Sequence, residues 1–193
     1  MTEHRSYTKE PLEIRSTGGK NTLLGYAAIF DSPSRDLGGF IERVDARAFE
    51  RCLAAKPDIM ARFEHQGGVS LLGRTSSGTL QVWTDKRGLK YSVDLPDTEA
   101  GRTAAELVRR GDISQSSFAF SVEPQGEEWD WSTQPATRTL KDVQLYDVAP
   151  VSDPAYPSTS VHAVRSFEEA KRRHENRARL EKIRAGMKES NRK

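Results

Sequence analysis

Cysteine and histidine are scarce in this chain, and their scarcity excludes several kinds of site. Cys52 is the single cysteine among 193 residues, so the chain can form neither an intramolecular disulfide nor a zinc site built from several thiolates. The four histidines show no metal-binding spacing such as HExxH: His4, His65, His162 and His174. We therefore expect neither a metal ion nor an organic cofactor.

Long apolar runs are also missing. The N-terminal MTEHRSYTKE lacks the apolar core of a signal peptide, and no stretch approaches the roughly 18 apolar residues that a membrane helix needs. Apolar residues make up 35% of the chain and charged residues 30%, so part of it is expected to lie outside a core. We expect a soluble, intracellular protein of a reducing compartment, with no membrane among its partners.

Charge is distributed unevenly along the chain. Residues 166–193 contain ten Lys or Arg and five Asp or Glu, a net charge of +5; the whole chain carries +2, so residues 1–165 sum to −3. A net negative charge over residues 1–165 does not provide the basic surface that is typical of specific nucleic-acid binding. We expect a flexible N-terminal lead-in (1–20), a folded domain (21–165) and a basic, helical or disordered tail (166–193). The alternative for the tail is a helix that docks on a partner.

Short runs of β-compatible residues dominate the expected folded domain, residues 21–165. The expected strands are residues 22–30, 59–65, 78–85, 88–95, 113–124 and 138–151. Two segments favour helices, 44–58 and 97–111, and the second has Asp97 or Thr98 as a candidate N-cap and Gly111 as its stop. This pattern predicts an α+β, mainly β fold, a β-barrel or sandwich decorated by helices, rather than a doubly wound sheet.

One histidine, three serines and one acid are the candidates for chemistry. His65 ends a predicted strand, and an imidazole with a pKa of about 6.5 is the usual general base at neutral pH. ISQSSFAF supplies Ser114, Ser116 and Ser117, without the G-x-S-x-G motif of an α/β-hydrolase. Asp147 interrupts an apolar strand pattern, where an acid is disfavoured unless it faces solvent or is paired. Taken singly, each residue is better explained by an ordinary structural role.

Four longer blocks follow one another between Leu24 and about Val164. They are GYAAIFDSPSRDLGGFIERVDARAF, RFEHQGGVSLLGRTSSGTLQVWTDKRGLKYSVDLPDTEAGR, LVRRGDISQSSFAF and LYDVAPVSDPAYPSTSV. Their features include a histidine after a short strand, the sequence Leu-Gly-Arg-Thr, the segment Ser-Phe-Ala-Phe and the turn Pro-Ala-Tyr-Pro. In this order the blocks resemble the prohead maturation protease family of tailed bacteriophages, over about 140 of the 193 residues.

The resemblance implies a fold and an activity. The fold is the herpesvirus-assemblin type, a closed β-barrel of about six to eight strands wrapped by a few helices. The activity is serine endopeptidase cleavage of the major capsid protein and its scaffold segment, and of the protease itself. It takes place inside the assembling prohead in the host cytoplasm. A homodimer is a further implied possibility, and no cofactor is implied.

The resemblance also assigns roles to individual residues. His65 falls on the family's general base, Ser117 on its nucleophile and Asp147 where the family commonly has an acid. His162 and Asp153 are the alternatives for the third member. Ala119 stands where the family usually has glycine.

Two other interpretations remain open. One is a catalytically inactive member that keeps the fold and serves as a capsid assembly or scaffolding protein. The other, which composition alone would give, is a general intracellular β-barrel binding domain.

Overall fold

Strands predominate in the computed structural model. It describes residues 2–5, 11–152 and 161–190, with the backbone alone at 161–166, 186 and 188–190. The strands are β1 Glu3–Arg5, β2 Glu13–Thr17, β3 Lys20–Ile29, β4 Phe40–Val44, β5 Met60–Arg62, β6 Leu71–Arg74, β7 Leu80–Thr84, β8 Gly88–Asp94, β9 Gln115–Val122, β10 Glu127–Asp130, β11 Ala136–Leu140 and β12 Val143–Val151. The helices are α1 Glu50–Ala54, α2 Glu99–Arg110 and α3 Val161–Ser190.

The strands of this described part form three open sheets. Their orders are β1-β9-β12-β5-β6, β10-β11-β4 and β2-β3-β8-β7. The predicted α+β, mainly β character is present, but the predicted closed β-barrel is wrong. A barrel requires the two outer strands of one sheet to pair with each other, and here each sheet ends in two separate edges. Register shifts at Leu145/Asp147, Tyr26/Ala28 and Ala61/Arg62 further interrupt the ladders.

The expected single strand over 138–151 is in fact two strands that belong to different sheets. The backbone N–H groups of Lys141 and Asp142 donate to the Gly126 carbonyl at 2.7 and 3.0 Å. These two bonds turn the chain between β11 and β12. As a result β11 pairs in parallel with β4, while β12 lies between β9 and β5.

The second predicted helix is confirmed together with its ends. Thr98 caps α2, its side chain accepting from the Gly101 N–H at 3.3 Å, and Gly111 ends it with φ of 81°. The first predicted helix is shorter than expected. Val44 still belongs to β4, and Asp45 forms a turn by accepting from the Arg47 N–H, so α1 begins only at Glu50.

The main core lies where the five- and four-stranded sheets and α2 meet. Phe118 and Phe120 of β9 stack at 4.9 Å, and Phe49 meets Phe118 edge-on at 5.6 Å. A second, aromatic cluster joins α3 to the three-stranded sheet, with Phe167 stacked on Phe40 at 5.4 Å. None of the helices in the described residues is long and apolar enough to cross a membrane.

Candidate active site

Strands β9 and β12 place two of the sequence-predicted residues on one face of the five-stranded sheet. Ser117 lies opposite Ala149, and Asp147 lies opposite Ala119. Directly opposed residues of an antiparallel ladder point to the same face, and so do residues two apart on one strand. Ser117 and Asp147 therefore share a face, and Phe118 and its core neighbours occupy the other.

His65 reaches this face from a strained turn. β5 runs parallel to β12 and ends at Arg62, and a single 3-10 turn over Phe63–His65 follows. Glu64 and His65 both have φ of 55°, in the left-handed region that residues other than glycine rarely adopt. The Glu64 carboxylate accepts from the Ser152 N–H, at the end of β12, at 2.8 Å. This bond holds the turn against β12, and strain of this kind is commonly found at functional sites.

The imidazole of His65 is held by Asp147. His65 Nδ1 lies 2.5 Å from Asp147 Oδ1, with 10% and 13% of the two side chains exposed. Arg62 Nε lies 3.7 Å from Asp147 Oδ2 and adds a positive charge on the other side of the carboxylate. With the ring proton on Nδ1, the lone pair of His65 is on Nε2. This Nε2 atom is buried and has no hydrogen-bond partner among the described residues.

The two buried serines of β9 have different surroundings. The Ser116 hydroxyl lies 2.8 Å from the Tyr91 hydroxyl in the core, where burial raises the pKa of Tyr91. Ser117, on the opposite face, donates its Oγ–H to the Arg5 carbonyl at 2.9 Å and is 1% exposed. The structure thus puts Ser117, not Ser116, on the face that carries His65 and Asp147.

Residues outside the candidates named from the sequence complete this face. β1 pairs with β9 so that His4 lies opposite Ala119, and the His4 ring lies 4.3 Å from the His65 ring. Burial lowers the pKa of His4, and the neighbouring His65 lowers it further. No local signal could have found this contact, because it depends on pairing between segments more than 110 residues apart. Folding therefore brings a second imidazole, which favours its neutral state, onto the face of Ser117.

The sequence offers Asp153 and His162 as alternatives for the third member. Asp153 and the rest of the predicted Pro-rich turn, 153–160, lie outside the described residues, and so does the side chain of His162. Within the described part of the chain, no group of three or more His, Cys, Asp or Glu residues is arranged to hold a metal ion.

Comparison with known proteins supplies the family. Residues 10–173 match the family model described as caudovirus prohead serine protease. The chain belongs to this family. The match confirms the resemblance found in the sequence and indicates a prohead protease role in phage capsid maturation.

Among solved structures, the chain is similar to the bacteriophage T4 capsid assembly protease, gp21. The two are 12% identical with a TM-score of 0.48, over 78% of this chain and 97% of that chain. No curated protein matches the sequence.

Proposed function

We propose that the chain is a serine endopeptidase in which Ser117 is the nucleophile, His65 the general base and Asp147 the residue that orients the base. The observation that carries the proposal is the His65–Asp147 hydrogen bond, which leaves a buried Nε2 lone pair on the face that holds Ser117. A base held by an acid, with its second nitrogen available to a hydroxyl, is the arrangement that activates a serine.

The spacing of the strands supports this assignment. Ser117 and Asp147 are diagonal neighbours on β9 and β12, a relationship that places residues about 7–8 Å apart. An imidazole with one hydrogen bond at each nitrogen bridges a gap of this size. A hydrogen bond from the Ser117 hydroxyl to His65 Nε2, in place of its bond to the Arg5 carbonyl, would complete the row, and such bonds often form only when substrate is bound.

The chemistry follows from these positions. His65 Nε2 takes the Ser117 proton as Oγ bonds to the scissile carbonyl carbon, and Asp147 stabilises the imidazolium. The C–N bond then breaks and the leaving amine takes that proton from His65. Water, deprotonated by the same nitrogen, hydrolyses the acyl-enzyme and regenerates the serine.

We further propose the major capsid protein and its scaffold segment as substrates, with the protease itself as a later one. The family description, a prohead serine protease, supports these substrates and cleavage inside the assembling shell in the host cytoplasm. A homodimer stays a prediction.

The test is to co-express the chain with its cognate capsid protein and to follow cleavage by mass spectrometry. Wild type is expected to cleave and Ser117→Ala to leave the capsid protein intact. Ser116→Ala is the matched control, because it removes the neighbouring hydroxyl on the other face, and it should still cleave. Equal cleavage by wild type and Ser117→Ala would refute the assignment. It would favour the inactive assembly protein instead.

A further inference from the structure

One guanidinium contacts both sides of the His65–Asp147 hydrogen bond. Arg62 is the last residue of β5, and β5 runs parallel to β12, the strand that carries Asp147. Arg62 Nε lies 3.7 Å from Asp147 Oδ2, and Arg62 Nη1 donates to the Gln66 carbonyl at 3.1 Å. The same side chain therefore contacts the carboxylate that holds the imidazole and the backbone of the residue that follows His65.

The guanidinium is itself held in place. Arg62 Nη2 lies 2.9 Å from Met60 Sδ, and 20% of the Arg62 side chain is exposed. The Gln66 carbonyl also accepts from the Ser70 hydroxyl, so the loop after His65 is fixed from two directions. Because His65 has φ of 55°, a conformation that residues other than glycine rarely adopt, its backbone depends on contacts of this kind.

The charge of Arg62 matters as well as its position. The Asp147 side chain is 13% exposed, and burying a carboxylate is costly unless it is paired and hydrogen-bonded. Within the described residues, the ion pairs of Asp147 are those with His65 and Arg62. Since His65 must be neutral to act as a base, Arg62 supplies the full positive charge in the active state of the site.

One further proton inactivates the site in either of two ways. If His65 takes it up, the imidazolium has no lone pair for the Ser117 hydroxyl. If Asp147 takes it up, the carboxyl group donates to Nδ1 and the imidazole proton lies on Nε2, which again leaves no lone pair toward Ser117. Both states place an additional positive charge near the Arg62 guanidinium, which therefore disfavours both.

We propose that Arg62 is a positioning residue for the reaction, which acts through the Asp147 carboxylate and through the backbone beside His65. Its charge keeps the site in the active protonation state to a lower pH than His65 and Asp147 would reach alone. The inference rests on the proposed function and adds to it a residue that acts only through the base and its acid.

The proposal fixes the direction of a change in pH dependence. Removing the Arg62 charge favours the protonated forms of both His65 and Asp147, so the acid limb of the reaction rate must move to higher pH. His4, whose ring lies 4.3 Å from the His65 ring, and Glu64 in the same turn are the other titratable groups beside His65 among the described residues. Both stay unchanged when Arg62 is replaced.

Substitutions at Arg62 separate its charge from its hydrogen bonding. Arg62→Gln removes the charge and keeps an amide donor for the Gln66 carbonyl, whereas Arg62→Lys keeps the charge and loses the planar fork. The readout is the rate at which a fluorophosphonate labels Ser117 across the pH range. In Arg62→Gln the midpoint of the acid limb should rise by about one pH unit, and the rate at high pH should fall about tenfold. In Arg62→Lys the midpoint should stay within about 0.3 unit of wild type.

Arg51→Gln is the matched control. Arg51, in α1, also contacts two acidic side chains, with Nε 2.8 Å from Asp142 Oδ2 and Nη2 3.2 Å from Glu123 Oε1. Its replacement should change neither the midpoint nor the rate at high pH. Equal midpoints in wild type and Arg62→Gln would overturn the proposal, and so would a slower rate without a change of midpoint, which a merely structural role would give.

The second readout does not need catalysis. In the Ser117→Ala background, the ring nitrogen shifts of His65 follow its titration by NMR. The midpoint should be about one pH unit higher with Arg62→Gln than with Arg62→Lys, and Arg62→Met, a second uncharged variant, should behave like Arg62→Gln. Equal midpoints in these variants would overturn the positioning role. If wild type is never labelled but the titration depends on the charge at this position, the proposed function fails and the positioning role stands.

Discussion

Asp147 Oδ1 and His65 Nδ1 lie 2.5 Å apart although 82 positions of sequence separate the two residues. The contact depends on the parallel pairing of β5 with β12, which brings the turn after β5 against the strand that carries Asp147. The carboxylate fixes the orientation of the ring, and with it the position of the proposed base. Each side chain of the proposed site can be tested by a substitution of its own.

Asp147→Asn should retain the fold but lose the correct tautomer of His65. In a serine–histidine–aspartate site such a change lowers kcat by about 10⁴-fold, and we expect a loss of that order in kcat/KM against a capsid-derived peptide. Asp142→Asn is the control, because Asp142 pairs with the half-exposed Arg51 away from this face. Activity of Asp147→Asn within a factor of about two of wild type would remove Asp147 from the mechanism.

Tyr91→Phe tests whether the Ser116 hydroxyl, which bonds to Tyr91, has a structural or a catalytic role. The change removes the 2.8 Å hydrogen bond between the buried Tyr91 and Ser116 hydroxyls, at a cost of about 0.5–1.5 kcal/mol in the free energy of unfolding. Urea unfolding measures this cost. Peptide cleavage in native conditions should be unchanged, since Ser116 lies on the core face. A loss of activity without a loss of stability would instead connect Ser116 to the chemistry.

Arg138→Met tests the buried ion cluster beneath β1. Arg138 is 1% exposed and contacts the carboxylates of Glu3, Glu42 and Glu127. Its removal leaves these acids without their shared partner, which typically costs about 3–5 kcal/mol. Arg15→Met, in an exposed pair, should cost no more than about 1 kcal/mol. Equal urea midpoints for the two variants would show that the cluster contributes no more than a surface pair.

The same cluster predicts a dependence of stability on pH. Burial tends to raise the pKa of Glu3, but the hydrogen bond from Arg138 and the charges of Arg5 and Arg138 outweigh it, so the pKa falls below 4.5. Because the folded pKa lies below the unfolded value, Glu3 stabilises the fold above about pH 4.5 and loses this contribution as the pH falls further. Urea midpoints should therefore drop more steeply below that pH in wild type than in Glu3→Gln. If the urea midpoints of the two chains fall in parallel as the pH is lowered, Glu3 does not stabilise the fold through a lowered pKa.

Phe167→Ala tests the docking of α3. Phe167 is 9% exposed and lies 5.7 and 5.8 Å from the rings of Trp129 and Trp131. Its removal should detach the helix, change the tryptophan emission and accelerate trypsin cleavage within 166–193. Leu180→Ala, at a side chain with 55% exposure, is the control and should change neither. If the two variants digest alike, Phe167 does not anchor the helix.

Local sequence patterns are enough for the elements whose signals lie within one segment. The ends of α2 follow from Thr98 and Gly111, and the blocks that contain His65, Ser117 and Asp147 are enough to name these three as candidates. The sheet order does not follow from local patterns, because pairings such as β11 with β4 depend on contacts between distant segments. The prediction of a closed barrel is wrong for that reason. A three-residue strand in a polar segment has no periodic signal, so β1 and its contacts with the site escape a sequence-based prediction.

The most direct measurement of the central claim is the position of a covalent adduct. The folded wild-type chain is treated with a fluorophosphonate, digested and mapped by tandem mass spectrometry. The adduct is predicted on Ser117 alone, and it should be lost in His65→Ala and after unfolding in urea. An adduct on Ser116, or labelling of Ser117 that persists in the unfolded chain or without His65, would contradict the account.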